Sequence, residues 1–175
     1  IIKIIEREVY MKRTALIAIV AMVAFTIACG SSQQVQKDYA DPNAALVSAQ
    51  NQQLEKYPVQ GFAYKSSTMP EQKWDKWADV ATPVVKEIIN KLPDGYVLQV
   101  TGHADAIGPE QPTGNKPGNI KISKDRAQTV YNALKRKGVD TDKMTYEGVG
   151  SSEPIPGSNP RAAKNRRVTF KVVPE

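Results

Sequence analysis

The chain has 175 residues, and its 24 Lys and Arg against 18 Asp and Glu give a formal net charge of +6. A single cysteine and a single histidine exclude an intrachain disulfide and the usual zinc sites, which need several Cys or His. The positive charge is mild, so it is weak evidence for nucleic acid as a partner.

The first informative segment is an apolar run near the N-terminus. Lys12 and Arg13 precede the apolar residues 15–27, a run shorter than the ~20 residues that a membrane-spanning helix needs. This pattern predicts a signal peptide over residues 11–28. Residues 1–10 precede a plausible initiator, and we interpret them as an upstream extension that is not part of the native protein.

The signal segment ends in a sequence that resembles a lipobox, Thr26-Ile27-Ala28-Cys29, in which the cysteine is acylated before cleavage. We predict lipid attachment at Cys29; the alternative interpretation is a buried free thiol. No aspartate follows at the second position, so retention in an inner membrane is not indicated. The sequence therefore predicts a lipid anchor in the outer membrane.

A polar segment and one domain follow. Residues 29–57 are rich in Gln, Ser and Asn, which is typical of a tether, and Asp41-Pro42 can cap a short helix over residues 43–57. Residues 58–175 have the right length for one domain with one hydrophobic core.

Within that domain, strand-like and helix-like patterns alternate. Ser123 is a candidate N-cap and Gly138 a candidate C′ residue for the second helix. The order β-α-β-α-β-β implies an α/β fold, with helices packed on one face of a small mixed sheet. The predicted strands are 61–65, 96–101, 144–149 and 166–173, the predicted helices 70–92 and 124–137, and a short helical turn is predicted at 161–165.

Two tryptophans begin the first of these helices. Trp74 and Trp77 precede an aliphatic run at helical spacing. A sugar-stacking platform is one interpretation, but this spacing is more typical of core residues.

One acid and one base occupy positions where a ligand can be held. Asp105 follows directly on the second strand, and Arg126 lies three residues after Ser123 in the first turn of the predicted helix, where the macrodipole disfavours a cation unless an anion is bound. The pair can hold a zwitterion, and we expect both side chains to be partly exposed at the rim of a groove. The alternatives are that Asp105 accepts bonds from its own loop and that Arg126 pairs with Asp125 or Glu147 at the surface.

Three motifs in order, TGHAD at 101–105, N-x-x-I-S-x-x-R-A at 119–127 and R-x-x-x-N-R-R-V at 161–168, resemble the signature of the OmpA-like C-terminal domain. That domain is the peptidoglycan-binding module of OmpA, Pal and MotB proteins, and the resemblance covers about residues 61–173. The same region looks similar to the OmpA-like surface lipoproteins of leptospiral spirochaetes, for which display outside the cell is also considered.

The resemblance implies a ligand and a set of residues. The positions matching Asp105 and Arg126 hold the amino and carboxyl groups of diaminopimelate in the peptidoglycan stem peptide, and the position of Asn119 shapes the pocket. The family's common G-H-T-D has alanine in place of threonine here. The peptidoglycan-binding set implied is Asp105, Arg126, Asn119, Ala104, Ile122 and Arg166.

One departure from the family borders this pocket. Between Gly108 and Asn119 the family usually places four residues, and this chain has ten, residues 109–118. The segment is rich in proline and glycine, so we expect a mobile loop that forms neither helix nor ladder.

Other chemistry is not indicated. His103 has no second histidine or cysteine beside it, so we predict a structural hydrogen-bonding role and no metal site. The chain contains no nucleophile elbow, P-loop or zinc-protease motif, which argues against an enzyme and a cofactor. A basic group is interpreted as the solvated side of an edge strand: Arg161, Lys164, Arg166, Arg167 and Lys171.

These features predict a lipid-anchored protein of the outer membrane that binds peptidoglycan non-covalently and links that membrane to the cell wall. The alternative is a surface-exposed adhesin or virulence lipoprotein that contacts host macromolecules. A stator-like ion-motor subunit is excluded, because it needs a true membrane-spanning helix with an acidic residue.

Overall fold

The computed structural model describes residues 41–175, which form three α-helices and four strands. No helix in this range is both long and apolar enough to cross a bilayer. The predicted signal peptide and Cys29 lie outside the described residues. The elements are α1 (Ala44–Leu54), β1 (Val59–Gln60), α2 (Glu71–Asn90), β2 (Tyr96–Gly102), α3 (Asn119–Arg136), β3 (Met144–Gly148), a 3-10 turn (Ala163–Asn165) and β4 (Arg167–Pro174).

The strands form one mixed sheet in the order β1-β4-β2-β3. β2 pairs with β3 in parallel, across the connection through α3, and β4 pairs antiparallel with both β1 and β2. Alternate residues of β4 point inward, and Val168, Phe170 and Val172 are buried as the alternation predicts. The predicted α/β fold with a small mixed sheet is confirmed.

The first strand is shorter and earlier than predicted. It comprises only Val59 and Gln60, and residues 61–65, predicted as strand, form a loop. Gly61 turns the chain with a φ of +102°. Carbonyl groups of this loop accept hydrogen bonds from arginine side chains instead of from a neighbouring strand, so an alternating sequence does not extend the ladder here.

The second predicted helix also begins earlier than expected. α3 starts at Asn119 with Gly118 at the N-cap, so the prediction of Ser123 as N-cap is wrong. The Ser123 hydroxyl instead donates to the Ile120 carbonyl at 2.9 Å and accepts from the Gly150 N–H at 2.9 Å. Arg126 therefore lies two turns into the helix, and the predicted conflict with the macrodipole does not arise.

Two glycines let α3 lie directly against the strands. A Cβ on Gly102 would come within 1.8 Å of the Ser123 carbonyl oxygen, and one on Gly148 within 2.1 Å of the Lys124 nitrogen. No other residue fits either position without moving the helix. The C-terminus of α3 ends as predicted, with Gly138 at φ +75°.

The segment predicted as tether contributes to the domain. In α1, the side-chain amide of Asn51 accepts from the Val172 N–H at 2.7 Å and donates to the Val172 carbonyl at 3.2 Å. Leu54 of the same helix is 1% exposed in the core. The domain boundary predicted at residue 58 is therefore too late, because α1 packs on β4.

The tryptophans belong to the core, as their spacing indicates. Trp77 stacks on Phe170 with ring centroids 5.6 Å apart and donates its indole N–H to the Tyr57 carbonyl. Trp74 lies beside Trp77 and is half-buried.

We predict that Asn51→Ala lowers the free energy of unfolding by about 1–2 kcal/mol, because both hydrogen bonds to Val172 are lost. Chemical denaturation measures the change. Gln52→Ala is the control, since Gln52 is exposed on the same helix, and we expect it to stay within about 0.5 kcal/mol of the parent. Equal effects of the two substitutions would show that the amide does not hold α1 on the sheet.

Candidate functional site

The site lies where the chain leaves β2. Beyond Gly102, the His103 N–H donates to the Arg167 carbonyl at 2.9 Å, and the Ala104 N–H donates to the Gly150 carbonyl at 2.7 Å. The chain is thus held on both sides as it reaches Asp105. Ala104, which precedes the acid, is 4% exposed.

Asp105 forms a buried ion pair. It is 2% exposed, and its Oδ2 lies 2.6 Å from Nη1 of Arg166, the residue immediately before β4. Within residues 41–175, the other carboxylate oxygen has no hydrogen-bond partner. The carboxylate of Asp105 therefore pairs with a residue from a distant segment. The alternative in which Asp105 only accepts bonds from its own loop is wrong.

Arg166 is the more accessible member of this pair. Its side chain is 17% exposed, and its Nε donates to the Phe62 carbonyl at 2.8 Å. Its Nη2 makes no hydrogen bond to any residue that the structure describes. Arg166 therefore presents an unused N–H edge beside the Asp105 carboxylate.

Arg126 is fully buried. It is 1% exposed, and it donates three hydrogen bonds to carbonyls: from Nε to Ser66 at 2.8 Å, from Nη1 to His103 at 2.9 Å and from Nη2 to Ala63 at 3.2 Å. Burial lowers the pKa of Arg126 to about 10, although the charge of Asp105 acts in the opposite direction. The guanidinium stays protonated at neutral pH.

The predicted exposure of these two charges is therefore wrong, and the alternative pairing of Arg126 does not hold either. Asp105 and Arg126 are not exposed at a groove rim, because each already has partners inside the protein. The proposed surface pair of Arg126 with Asp125 does not form either, since Asp125 pairs with Lys121 at 2.7 Å. Glu147 forms no ion pair with Arg126.

Arg126 fixes the shape of a turn. Residues 63–66 are closed by a hydrogen bond from the Ser66 N–H to the Ala63 carbonyl at 3.2 Å, and Arg126 binds the carbonyls of both end residues. Lys65 in this 63–66 turn has a φ of +55°, which is uncommon for a residue other than glycine. The turn presents Tyr64 and Lys65 to solvent, with Tyr64 47% exposed.

Glu110, which the sequence analysis did not single out, organises the start of α3. Its carboxylate accepts from the Asn119 side chain at 3.0 Å and from the Ser151 N–H and hydroxyl, while its carbonyl accepts from the Ile120 N–H. Burial raises the pKa of Glu110, but the bonds from Ser151 and Asn119 outweigh it and hold the pKa below its ordinary value. No local helix signal marks Glu110, because it lies nine residues before the start of α3.

The 109–118 insertion has more structure than predicted. Glu110 ties its first part to Asn119 and Ser151, and Thr113 and Lys116 form an isolated antiparallel bridge with two hydrogen bonds of 3.1 Å. Because this bridge is isolated, the segment forms neither helix nor ladder, as expected. The insertion ends at Gly118, whose Cβ would collide with the Glu110 carbonyl.

A small cavity joins the 63–66 turn to this insertion. It has a volume of about 80 Å³. Asn119 and Ile122, both predicted as site residues, lie in its wall. A larger cavity of about 340 Å³ between α2 and α3 includes Trp74 but none of the predicted site residues, so we place the candidate site beside the smaller one. Asp105, Arg126 and Arg166 line neither of these two cavities. Among the residues lining the smaller cavity are Tyr64, Lys65, Ile107, Lys116, Asn119 and Ile122.

His103 has the structural role predicted for it. It is 2% exposed, and its Nε2 lies 2.8 Å from the Thr169 hydroxyl. Burial, reinforced by the nearby charge of Arg167, lowers the pKa of His103 to about 3. The imidazole is therefore neutral at physiological pH.

The predicted solvated edge of basic residues is only partly correct. β4 lies between β1 and β2, and Arg167 is 9% exposed and donates to the Glu153 carbonyl at 3.1 Å. Arg166 belongs to the ion pair with Asp105. Of Arg166, Arg167 and Lys171, only Lys171 is exposed.

Comparisons with known proteins relate the chain to one family. The profile of the OmpA family matches residues 79–167. Outer membrane protein A of Serratia marcescens is 37% identical over 80 residues, which is 46% of this chain and 20% of that protein. The probable lipoprotein YiaD of Escherichia coli is 37% identical over 73 residues, 40% of this chain and 33% of that protein. The chain thus matches between a fifth and a third of the length of these two relatives.

Two solved structures share the fold. The peptidoglycan-associated lipoprotein from Burkholderia pseudomallei superposes with a TM-score of 0.53 at 20% identity, covering 69% of this chain and 92% of that one. The C-terminal domain of Helicobacter pylori MotB gives a TM-score of 0.51 at 21% identity, covering 67% and 84%. At this identity the likeness concerns the fold alone.

Arg126→Met should lower the free energy of unfolding by about 3 kcal/mol, because three carbonyl groups lose a charged donor while the side-chain volume is nearly kept. Urea denaturation provides the measurement. Arg136→Met removes the same charge at the exposed end of α3 and should change stability by less than about 0.5 kcal/mol. A loss for Arg126→Met no larger than that of the control would contradict the role assigned to the buried guanidinium.

Stability should fall on acidification through the titration of His103. Its pKa in the folded protein is about 3, against an ordinary value of 6.5, so below pH 6.5 the unfolded chain binds a proton that the folded chain does not. The contribution of His103 is a loss of up to about 1.4 kcal/mol for each pH unit between 6.5 and about 3. Unfolding measured at pH 7 and pH 5 should show a smaller decrease for His103→Gln than for the parent; equal decreases would show that other groups account for the acid sensitivity.

Proposed function

The chain belongs to the OmpA family, which comprises structural proteins rather than enzymes, and from this premise we propose that its domain binds the stem peptide of peptidoglycan. OmpA-like domains of this kind are generally peptidoglycan-associated. The observation that carries the proposal is the Asp105–Arg166 pair, in which one carboxylate oxygen and one guanidinium edge have no partner among residues 41–175.

A zwitterion can align head-to-tail with this pair. The ammonium of a diamino acid such as diaminopimelate meets the unpartnered oxygen of Asp105, and the neighbouring carboxylate meets Nη2 of Arg166. Each ligand charge then lies beside its opposite, and both new hydrogen bonds are charge-assisted. The existing ion pair sets the orientation of the ligand before it binds, which reduces the entropy lost on binding.

Arg126 acts behind the ligand as a positioning residue. Three of its N–H groups are used on carbonyls, so its contribution is its positive charge and its hold on the 63–66 turn. The site contains the positive charges of Arg126 and Arg166 and the negative charge of Asp105, so one positive charge is in excess. That excess favours a ligand whose carboxylates outnumber its ammonium groups.

The remaining proposed residues shape the surroundings. Asn119 holds Glu110 and with it the first part of the insertion. Ile122 supplies an apolar wall of the cavity, and Ala104 a small side chain next to Asp105 in the chain. These three residues control shape rather than charge.

The relatives are outer-membrane or envelope proteins, and we propose that this protein is held in the outer membrane by a lipid on Cys29. Support comes from the short apolar run and the lipobox-like residues that precede Cys29. Mass spectrometry of the native protein should find an acylated N-terminal cysteine. A mature N-terminus elsewhere, or an intact Met11, would contradict the proposal.

Asp105→Asn should abolish retention by purified sacculi, because it keeps the shape of the side chain and removes the charge that the ammonium needs. Losing one partner of a desolvated charge pair costs about 2–5 kcal/mol, so affinity should fall roughly a hundred-fold. Pull-down with sacculi measures it, and Asp125→Asn on the exposed face of α3 is the matched control.

Because Asp105→Asn also weakens the pair with Arg166, folding of each variant is checked by near-ultraviolet circular dichroism. Arg166→Lys provides a second measurement, since it keeps the charge but removes the planar N–H edge, and it should also bind more weakly. Retention of folded Asp105→Asn and Arg166→Lys equal to that of the parent would reject the site. A parent that sacculi do not retain would reject peptidoglycan as the partner and favour the adhesin alternative.

A further inference from the structure

Two lysines from distant parts of the chain line the same cavity. Lys65 lies in the 63–66 turn and Lys116 in the 109–118 insertion, and both side chains are exposed. Neither forms an ion pair with any residue between 41 and 175. Two cations at one cavity repel each other, and no carboxylate of the described chain compensates them there.

The backbone holds both lysines in place. Lys65 has the left-handed φ of +55°, a conformation that costs roughly 1–2 kcal/mol for a residue with a Cβ, and it is maintained by the bonds of Arg126 to the ends of the turn. Lys116 is fixed by its two backbone hydrogen bonds to Thr113. The strained turn and the bridged insertion therefore bring two positive charges to the wall of one cavity.

The chemistry of the remaining wall selects the kind of group that fits. Tyr64 offers an aromatic ring, and Ile107 and Ile122 offer apolar surface. A cavity of about 80 Å³ admits a carboxylate with its attached carbon but not a whole amino acid. An anionic group at the end of a short apolar stem matches both the charges and the size.

We propose that this cavity binds a second carboxylate of the stem peptide, outside the zwitterion held at Asp105, through the ammonium groups of Lys65 and Lys116. The inference rests on the proposed function. The Asp105 site already has one excess positive charge, and these lysines add two, which suits a peptide with more than one free carboxylate. Lys116 belongs to the insertion that distinguishes this chain from the usual family pattern, so the insertion becomes a determinant of specificity.

The carboxylate can come from two places, the α-carboxyl of the residue preceding the diamino acid or the carboxyl at the peptide's C-terminus. Three synthetic stem tripeptides separate them: one with both carboxyls free, one with the α-carboxyl amidated and one with the terminal carboxyl amidated. Calorimetry gives their affinities for the parent and for the double variant Lys65→Gln/Lys116→Gln. The matched control is Lys135→Gln/Lys143→Gln, which removes two exposed lysines remote from the cavity.

We expect the cavity variant to bind the free tripeptide about ten-fold more weakly than the parent, because two partly solvated charge contacts are lost. One of the two amidations should lower the affinity of the parent by a similar factor and should not lower the affinity of the cavity variant further. The carboxyl group blocked in that peptide is then the one that binds the lysines. The control variant should bind all three peptides as the parent does.

The remaining outcomes all contradict the inference. Unchanged binding by the cavity variant overturns the inference and leaves the proposed function intact. A loss of affinity that is equal for all three peptides, or that the control variant shares, has the same consequence, because it would show a general electrostatic effect. A parent that binds no tripeptide, and no sacculi, overturns the proposed function and this inference together.

Discussion

The requirement that a buried guanidinium be hydrogen-bonded determines the local structure around the site. Arg126 cannot leave its charge unpaired in the interior, because removing a charged group from water costs several kcal/mol unless hydrogen bonds replace its hydration. It therefore collects carbonyls from the loop after β1 and from the end of β2. Segments that are distant in sequence are thereby joined at one point, and the 63–66 turn, the end of β2 and the ion pair of Asp105 all take their positions relative to it.

Much of the architecture could be predicted from periodicity and end signals. Strand β2, the C-terminal glycine of α3 and the inward residues of β4 follow from local patterns, since alternation and a left-handed C′ residue depend only on neighbouring positions. The start of α3 could not be predicted so well. Ser123 is a favourable N-cap by type, but its hydroxyl serves the distant Gly150, and the residue that organises the helix start, Glu110, is nine positions upstream of Asn119.

The candidate site shows the same division. The motifs mark Asp105, Arg126, Asn119 and Arg166, and the structure brings Asp105 and Arg166 together in an ion pair. The environment of these residues could not be predicted from the motifs. Whether an arginine is buried depends on which carbonyl groups lack a donor after folding, and carbonyls of the loop after β1 lack one because residues 61–65 do not form a strand. The charges predicted as exposed are instead 1–2% exposed, and the accessible guanidinium is that of Arg166.

The amide of Asn51 has a consequence for how molecules of this protein behave together. β1 pairs with Val168 and Arg167, and among residues 41–175 no strand lies beside the outer edge of β4 beyond them. An open strand edge is a template for pairing with the edge of another chain, and proteins commonly cover it. Asn51 occupies the backbone groups of Val172 on that edge, much as a peptide group of an added strand would. Helix α1 thus protects this edge of the sheet against association with the edge of another molecule.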